Sequence, residues 1–205
     1  MNPVYTIGYS NHELGTFIGL LRANHITAVA DVRSQPNSRL PHFNQGPLRD
    51  ALRQHGIQYV FLGTELGARR EERECYVDGQ AVYERVATLP LFRAGLDRIV
   101  KGASRYTIAI MCAEKEPLDC HRTVLICRNL RPLVPAIRHI HADGRVEEHA
   151  EAETRLLKMA GITPGQRDLF ASDEQQLERA YESRGRQIAY RMGQEGGSDE
   201  PAHES

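Results

Sequence analysis

Four short apolar runs in this chain each end in a cluster of polar and reactive residues, and amphipathic stretches separate them. The runs are VYTIGYS (residues 4–10), TAVADVRS (27–34), IQYVFLG (57–63) and RYTIAIMC (105–112). Leu14, Phe17, Ile18 and Leu21 fall on one face of a helix over 13–24, Leu48 and Leu52 do so over 46–55, and further helical stretches span 81–101. Short strands that are apolar throughout, alternating with one-sided helices, are what a sheet covered on both faces requires. The expected fold is therefore α/β: an open, mainly parallel, Rossmann-like sheet in a three-layer arrangement with flanking helices. IRHIHADGRVEEH (137–149) reads as a hairpin turning at Asp143-Gly144. Residues 150–160 and 174–192 read as a C-terminal helical extension. The length, 205 residues, suits one core, so 1–192 are expected to form a single domain, with the Gly-, Ser- and acid-rich 193–205 as a disordered tail.

The formal net charge is −1, but Glu195, Asp199, Glu200 and Glu204 place four negative charges in the tail, so residues 1–192 carry +3. Of 26 basic residues only Lys101, Lys115 and Lys158 are lysines. Arginine is favoured where phosphate or carboxylate must be recognised in a plane; a GC-rich coding sequence gives the same bias. Residues 27–70 hold six Arg against Asp31, Asp50 and Glu65, and 101–131 hold six basic groups against Glu114, Glu116 and Asp119. The near-neutral total argues against indiscriminate polyanion binding and leaves room for a focused anion site. The first residues lack the basic and apolar pattern of a signal peptide, and no apolar run approaches the length of about 18 residues that spans a membrane. The expectation is a cytoplasmic protein with no membrane partner, whose four cysteines are reduced thiols.

In open parallel sheets ligands bind beyond the carboxyl ends of the strands. Those ends lead here into Ser10, Asn11 and His12; into Arg33, Ser34, Ser38, Arg39 and His42; into Glu65, Arg69 and Arg70; and into Cys112, Glu114, Cys120, His121 and Arg122. Cys120-His121-Arg122 sits after a proline-containing loop at the expected start of a helix, where free N–H groups, an imidazolium and a guanidinium all favour a thiolate; alternatively Cys120 is a small buried hydrophobe. Cys112 closes an apolar strand and reads first as core, as does Cys127, two helical turns after Cys120. Asp31 and Arg33 lie two apart and share one side of their strand, either as an ion pair or with the arginine free for an anion. Arg33, Ser34, Ser38, Arg39 and His42 are grouped by a loop that Pro36 and Pro41 stiffen.

Several established motifs are absent. There is no glycine-rich dinucleotide fingerprint and no Walker loop, and a C-x5-R phosphatase loop fails because Leu118 and Ile126 occupy the arginine positions. Cysteine spacings of eight and seven match no zinc-finger pattern. A metal, if one is bound, would be held by Cys112, Cys120 and His121, with His42 or His12. No cofactor is otherwise indicated.

Taken together, TIGYS, DVRSQPNSRLPHFN, GIQYVFLGTELGARR and MCAEKEPLDCHR resemble the domain-of-unknown-function 488 family, over roughly residues 4–130. The resemblance implies a compact α/β fold with a site at these loops and carries no reaction with it. One departure is Ala68, where many members have a second glycine.

The residues point to an enzyme acting on a phosphate-bearing substrate, a nucleotide or nucleic acid. Arg33, Arg39 and Arg122 would hold the anion, with Ser10, Asn11, His12, Ser38 and Arg69 as further binding groups. Cys120 would be nucleophile or thiolate ligand, with His121, His42 or Glu114 moving protons. The alternatives are a non-catalytic nucleotide- or nucleic-acid-binding module and a metal-dependent enzyme with Cys/His ligands.

Overall fold

A computed structural model describes residues 1–9, 12–162 and 171–193. The elements in chain order are β1 (Val4–Gly8), α1 (Leu14–Ala23), β2 (Ala28–Asp31), α2 (Gln45–Gln54), β3 (Gln58–Phe61), α3 (Gly63–Leu66), β4 (Tyr76–Val77), β5 (Gln80–Ala81), α4 (Tyr83–Thr88), α5 (Pro90–Ala103) and β6 (Ile108–Cys112). A π-helical stretch, Arg122–Cys127, then runs into α6 (Arg128–Leu130), followed by β7 (Ile137–Ile140), β8 (Val146–Glu148), α7 (His149–Met159) and α8 (Asp173–Ile188). The main sheet has the order β3-β2-β6-β1-β7-β8, parallel except for the β7–β8 hairpin. This is the expected three-layer α/β architecture with its C-terminal helices.

β1, β2 and β6 are buried along their whole length, because each has strands on both edges and helices on both faces. Their side chains alternate between two cores. Tyr5, Ile7, Val29, Ala109 and Met111 pack under α1 and α2, whereas Val4, Ala28, Ala30, Ile108, Ile110 and Cys112 face α5, the π-helical stretch and α8. Inserting β6 between β2 and β1 sets Cys112 directly across from Gly8. The carboxyl ends of β2, β6 and β1 thus meet side by side.

Two local differences from the sequence reading bear on the site. Residues 76–81, which the sequence reading leaves unassigned up to the helical stretch expected from 81, form the short β4–β5 hairpin, turning through Asp78 (φ 49°) and Gly79 (φ 76°). Two-residue strands leave too little alternation to be recognised in sequence. The last helix ends at Ile188 rather than 192. The next residues leave it to pair with the hairpin: Ala81 N–H donates to Tyr190 O (2.9 Å) and Met192 N–H to Gly79 O (2.7 Å). Ser10 and Asn11, and the tail beyond Gly193, lie outside the described residues.

A buried polar chain crosses the α7 side of the sheet. Thr6 donates to His139 Nδ1 (2.8 Å), His139 Nε2 to His149 Nδ1 (2.9 Å), His149 Nε2 to Tyr181 Oη (3.1 Å), and Tyr181 to Glu153 (2.9 Å), which Arg131 pairs at 2.9 Å. Every link is satisfied with both imidazoles neutral. Burial, reinforced by nearby Arg131 and opposed by Glu147, pushes His149 down to about 4, and burial beside His149 holds His139 well below the usual range. In the unfolded chain both take up protons near pH 6.5. The unfolded state therefore binds more protons below that pH, and stability should be full above about 6.5 and fall as pH drops toward 4. His149 alone accounts for about 3 kcal/mol at the acid end. Urea unfolding between pH 4.5 and 7 measures this, and His149→Gln should flatten the slope; equal stability at pH 5 and 7 in the parent would refute it.

Candidate functional site

Cys112, at the end of β6, is 3% exposed. The chain then turns back across β1, and only glycine at position 8 permits this: a Cβ there would lie 1.9 Å from the Glu114 carbonyl oxygen. Arg122, wholly buried at the start of the π-helical stretch, fixes the same loop by donating Nη1 to Glu114 O (2.6 Å) and Nη2 to Lys115 O (3.2 Å). The terminal nitrogens expected to hold a substrate anion are thus engaged by the protein's own backbone. Arg122 Nε is buried with no hydrogen-bond partner among the described residues, and the guanidinium charge acts through space on the neighbouring thiols.

The loop brings four titratable side chains together. One donor atom from each of Cys112, Glu114, Cys120 and His121 lies within 4.8 Å of all the others. His121 Nδ1 is 3.7 Å from Cys112 Sγ and 3.8 Å from Cys120 Sγ, and Cys120 Sγ is 2.9 Å from Glu114 Oε2. His121 Nε2 lies 3.2 Å from Val32 O, so this nitrogen carries a proton and Nδ1 faces both sulfurs. The Arg122 N–H points at Cys120 Sγ (3.4 Å).

The thiols are driven apart in acidity. Burial opposes ionisation of Cys120 but is outweighed by the Cys112 hydrogen bond, the Arg122 charge and His121, which hold this thiol well below its ordinary range. Its hydrogen bond to Cys120, then burial, push Cys112 well above it. Burial and the adjacent Cys120 charge raise the Glu114 carboxyl to about 7. Burial also opposes protonation of His121, but the Cys120 hydrogen bond and charge raise it. Groups pushed apart in this way are candidates for proton exchange. Cys127 is excluded from this group, and burial raises its thiol.

The cluster opens into a cleft of about 580 Å3, whose floor is formed by Cys112, Glu114 and His121. Its walls come from the loop after β2 and from the segment following α8. Arg69 is held with its guanidinium 4.8 Å from the Tyr190 ring centroid while its N–H donates to Ser34 Oγ (2.9 Å). Arg191 bonds Gln80 Oε1 at 3.1 Å. Gly67 supports this wall, since a Cβ there would meet Ser34 Oγ at 2.5 Å, whereas Ala68 reaches the cleft. The departure noted at position 68 therefore falls where a methyl group is accommodated. α8 also grips the Glu114 loop: Arg184 Nε donates to Leu118 O (3.1 Å) and its guanidinium pairs with Asp119.

The other expected site residues divide. Arg33 borders the cleft but is 5% exposed and doubly bonded to Asp31 (2.9 and 2.6 Å), which also accepts from Tyr59 (2.7 Å). It brings a neutralised ion pair to the wall. Among the described residues the cleft lining does not include His12, Ser38, Arg39 or His42. Ser38 organises its own loop, donating N–H to Asn44 Oδ1 (2.7 Å) and accepting from Leu40 N–H (3.1 Å). His42 is half-buried and its ring lies against Phe43, a member of the core under α1 and α2. His12 is buried, and its imidazole is lowered by burial and by Lys115. Tyr9, Tyr83, Tyr190 and Arg191 join the cleft without having been expected there. For Tyr9 the signal was available, one residue past the first strand; for the two C-terminal residues none was.

No helix among the described residues is long and apolar enough to cross a membrane. No curated protein and no solved structure matches the chain. The family model for the domain of unknown function DUF488 matches residues 13–128, more than half the chain, and the protein belongs to that family.

Proposed function

We propose that this protein is an enzyme acting on a phosphate-bearing small molecule of nucleotide size, with the Cys112–Glu114–Cys120–His121 cluster as its reacting end. One observation carries this reading: a single cleft has Arg69 and Arg191 on its walls and Cys112, Glu114 and His121 on its floor. A volume of about 580 Å3 suits a ligand of that size rather than a duplex. The two wall arginines supply the planar donors that phosphate oxygens accept, and Glu114 is placed to exchange a proton with a group held over the sulfurs.

Calorimetric titration with nucleoside mono- and triphosphates, coupled to product analysis, tests the proposal. Binding should weaken as salt rises, and Arg69→Ala and Arg191→Ala should each weaken it by about 10-fold or more, the worth of a charge-assisted hydrogen bond. Affinity unchanged in both variants would count against the cleft as the anion site. Binding with no product from any nucleotide would favour a non-catalytic module.

A further inference from the structure

We infer that Cys112, Cys120 and His121 are the protein ligands of a mononuclear divalent transition-metal site of the zinc class, whose fourth position opens to the cleft beside Glu114. The inference rests on the reading of this cluster as the reacting end, and it assigns Cys120 the role of ligand.

The donor set is the first argument. Two sulfurs and an imidazole nitrogen are soft-to-borderline ligands that select zinc, iron or cobalt over magnesium or calcium. Geometry is the second. Metal–sulfur and metal–nitrogen bonds of the usual lengths, set tetrahedrally, imply S···N edges of about 3.6 Å; the two observed are 3.7 and 3.8 Å. The site therefore has nearly the dimensions of a coordinated one.

The outer partners are also those of a metal-bound histidine. The far ring nitrogen of His121 is tied to the Val32 carbonyl at 3.2 Å, which aims Nδ1 at the sulfurs and fixes its tautomer. Glu114 behaves differently. Its Oε2 lies 2.9 Å from Cys120 Sγ, inside the roughly 3.5 Å expected between sulfur and oxygen on one tetrahedral ion. It is accordingly an outer hydrogen-bonding group at the open position, where it can take a proton from a bound water or substrate hydroxyl. The charges balance as well. Two thiolates carry −2 against +2 for the ion, and the buried Arg122 holds its positive charge beside the Glu114 loop. Binding forms two metal–sulfur bonds and one metal–nitrogen bond, and any protons held on the two sulfurs leave to solvent.

Cobalt(II) titration of the chelator-treated full-length chain tests the site without reference to activity. One equivalent should produce the near-ultraviolet thiolate-to-cobalt charge-transfer band and the intense visible bands of tetrahedral cobalt, and zinc(II) should displace them. Cys112→Ser and Cys120→Ser should each remove about half of the charge-transfer intensity. His121→Ala should weaken binding more than about 100-fold, since even the outer partners of such ligands are worth roughly 10- to 100-fold. Glu114→Gln and Cys75→Ser should keep the full spectrum. A wild-type chain that gives no thiolate band, or a spectrum unchanged in both cysteine variants, overturns the inference, and the wild-type result decides even if a variant fails to fold. Nucleotide binding is measured separately: its persistence without a cobalt spectrum overturns the metal alone, and a full spectrum with no nucleotide binding overturns the proposed function alone.

Discussion

Cys120→Ser should lower turnover at least about 1,000-fold, the scale seen when a group at the reacting centre is removed, and leave the fold intact. Serine is smaller and, at neutral pH, un-ionised. It therefore removes the negative charge around which Arg122, His121 and Glu114 are arranged. The position is 1% exposed and sits against polar partners, so a hydroxyl has somewhere to bond and the stability cost stays small. The control is Cys75→Ala, in the core beneath the β4–β5 hairpin and outside the cluster. It should retain turnover within a few-fold. Circular dichroism and melting temperature establish the fold, and product formation at saturating substrate establishes the loss. Full turnover in the serine variant would remove Cys120 from the chemistry.

Gly8→Ala has the larger effect on stability. Its methyl group would sit 1.9 Å from the Glu114 carbonyl oxygen and 3.3 Å from an Arg122 guanidinium nitrogen. Neither can withdraw cheaply, because the carbonyl is the acceptor for Nη1 of the buried guanidinium. Overpacking costs about 1–3 kcal/mol, and disturbing the Arg122 contact adds to it. A loss of about 3 kcal/mol would lower the melting temperature by roughly 6–12 °C in a chain of this size. Gly19→Ala, on α1 with nothing within 4 Å, provides the contrast and should be neutral or stabilising. A Gly8→Ala protein melting within 2 °C of the parent would show that the Glu114 loop is free to move.

The sheet was legible because β1, β2 and β6 are apolar at nearly every position, while α1 and α2 show one-sided patterns. The meeting of Cys112, Glu114, Cys120 and His121 was legible only in part. Their placement after one strand was visible, but the loop that brings the first pair onto the second depends on Gly8, more than a hundred residues away. Charge was the least legible property. Arg33 and Arg122 look like anion ligands in sequence, yet Asp31 claims one and two carbonyls claim the other. His42 lies in a polar loop, half-buried, with its ring against its neighbour Phe43, which belongs to the core under α1 and α2. The hairpin at 76–81 and the extended residues after Ile188 recognise each other across more than a hundred positions, a pairing that neither segment carries alone.

That last pairing separates two kinds of change available to the protein. The floor of the cleft is encoded between residues 112 and 121, inside the stretch shared with the family, whereas Gln187, Tyr190 and Arg191 lie well beyond it. Substitutions in the closing strand segment can reshape what the cleft admits while the sulfur-bearing centre stays as it is. On the proposed reading, one wall of the cleft can thus drift in the segment after α8, while the other wall, at Ser34 and Arg69, and the sulfur-bearing floor stay within the stretch shared with the family.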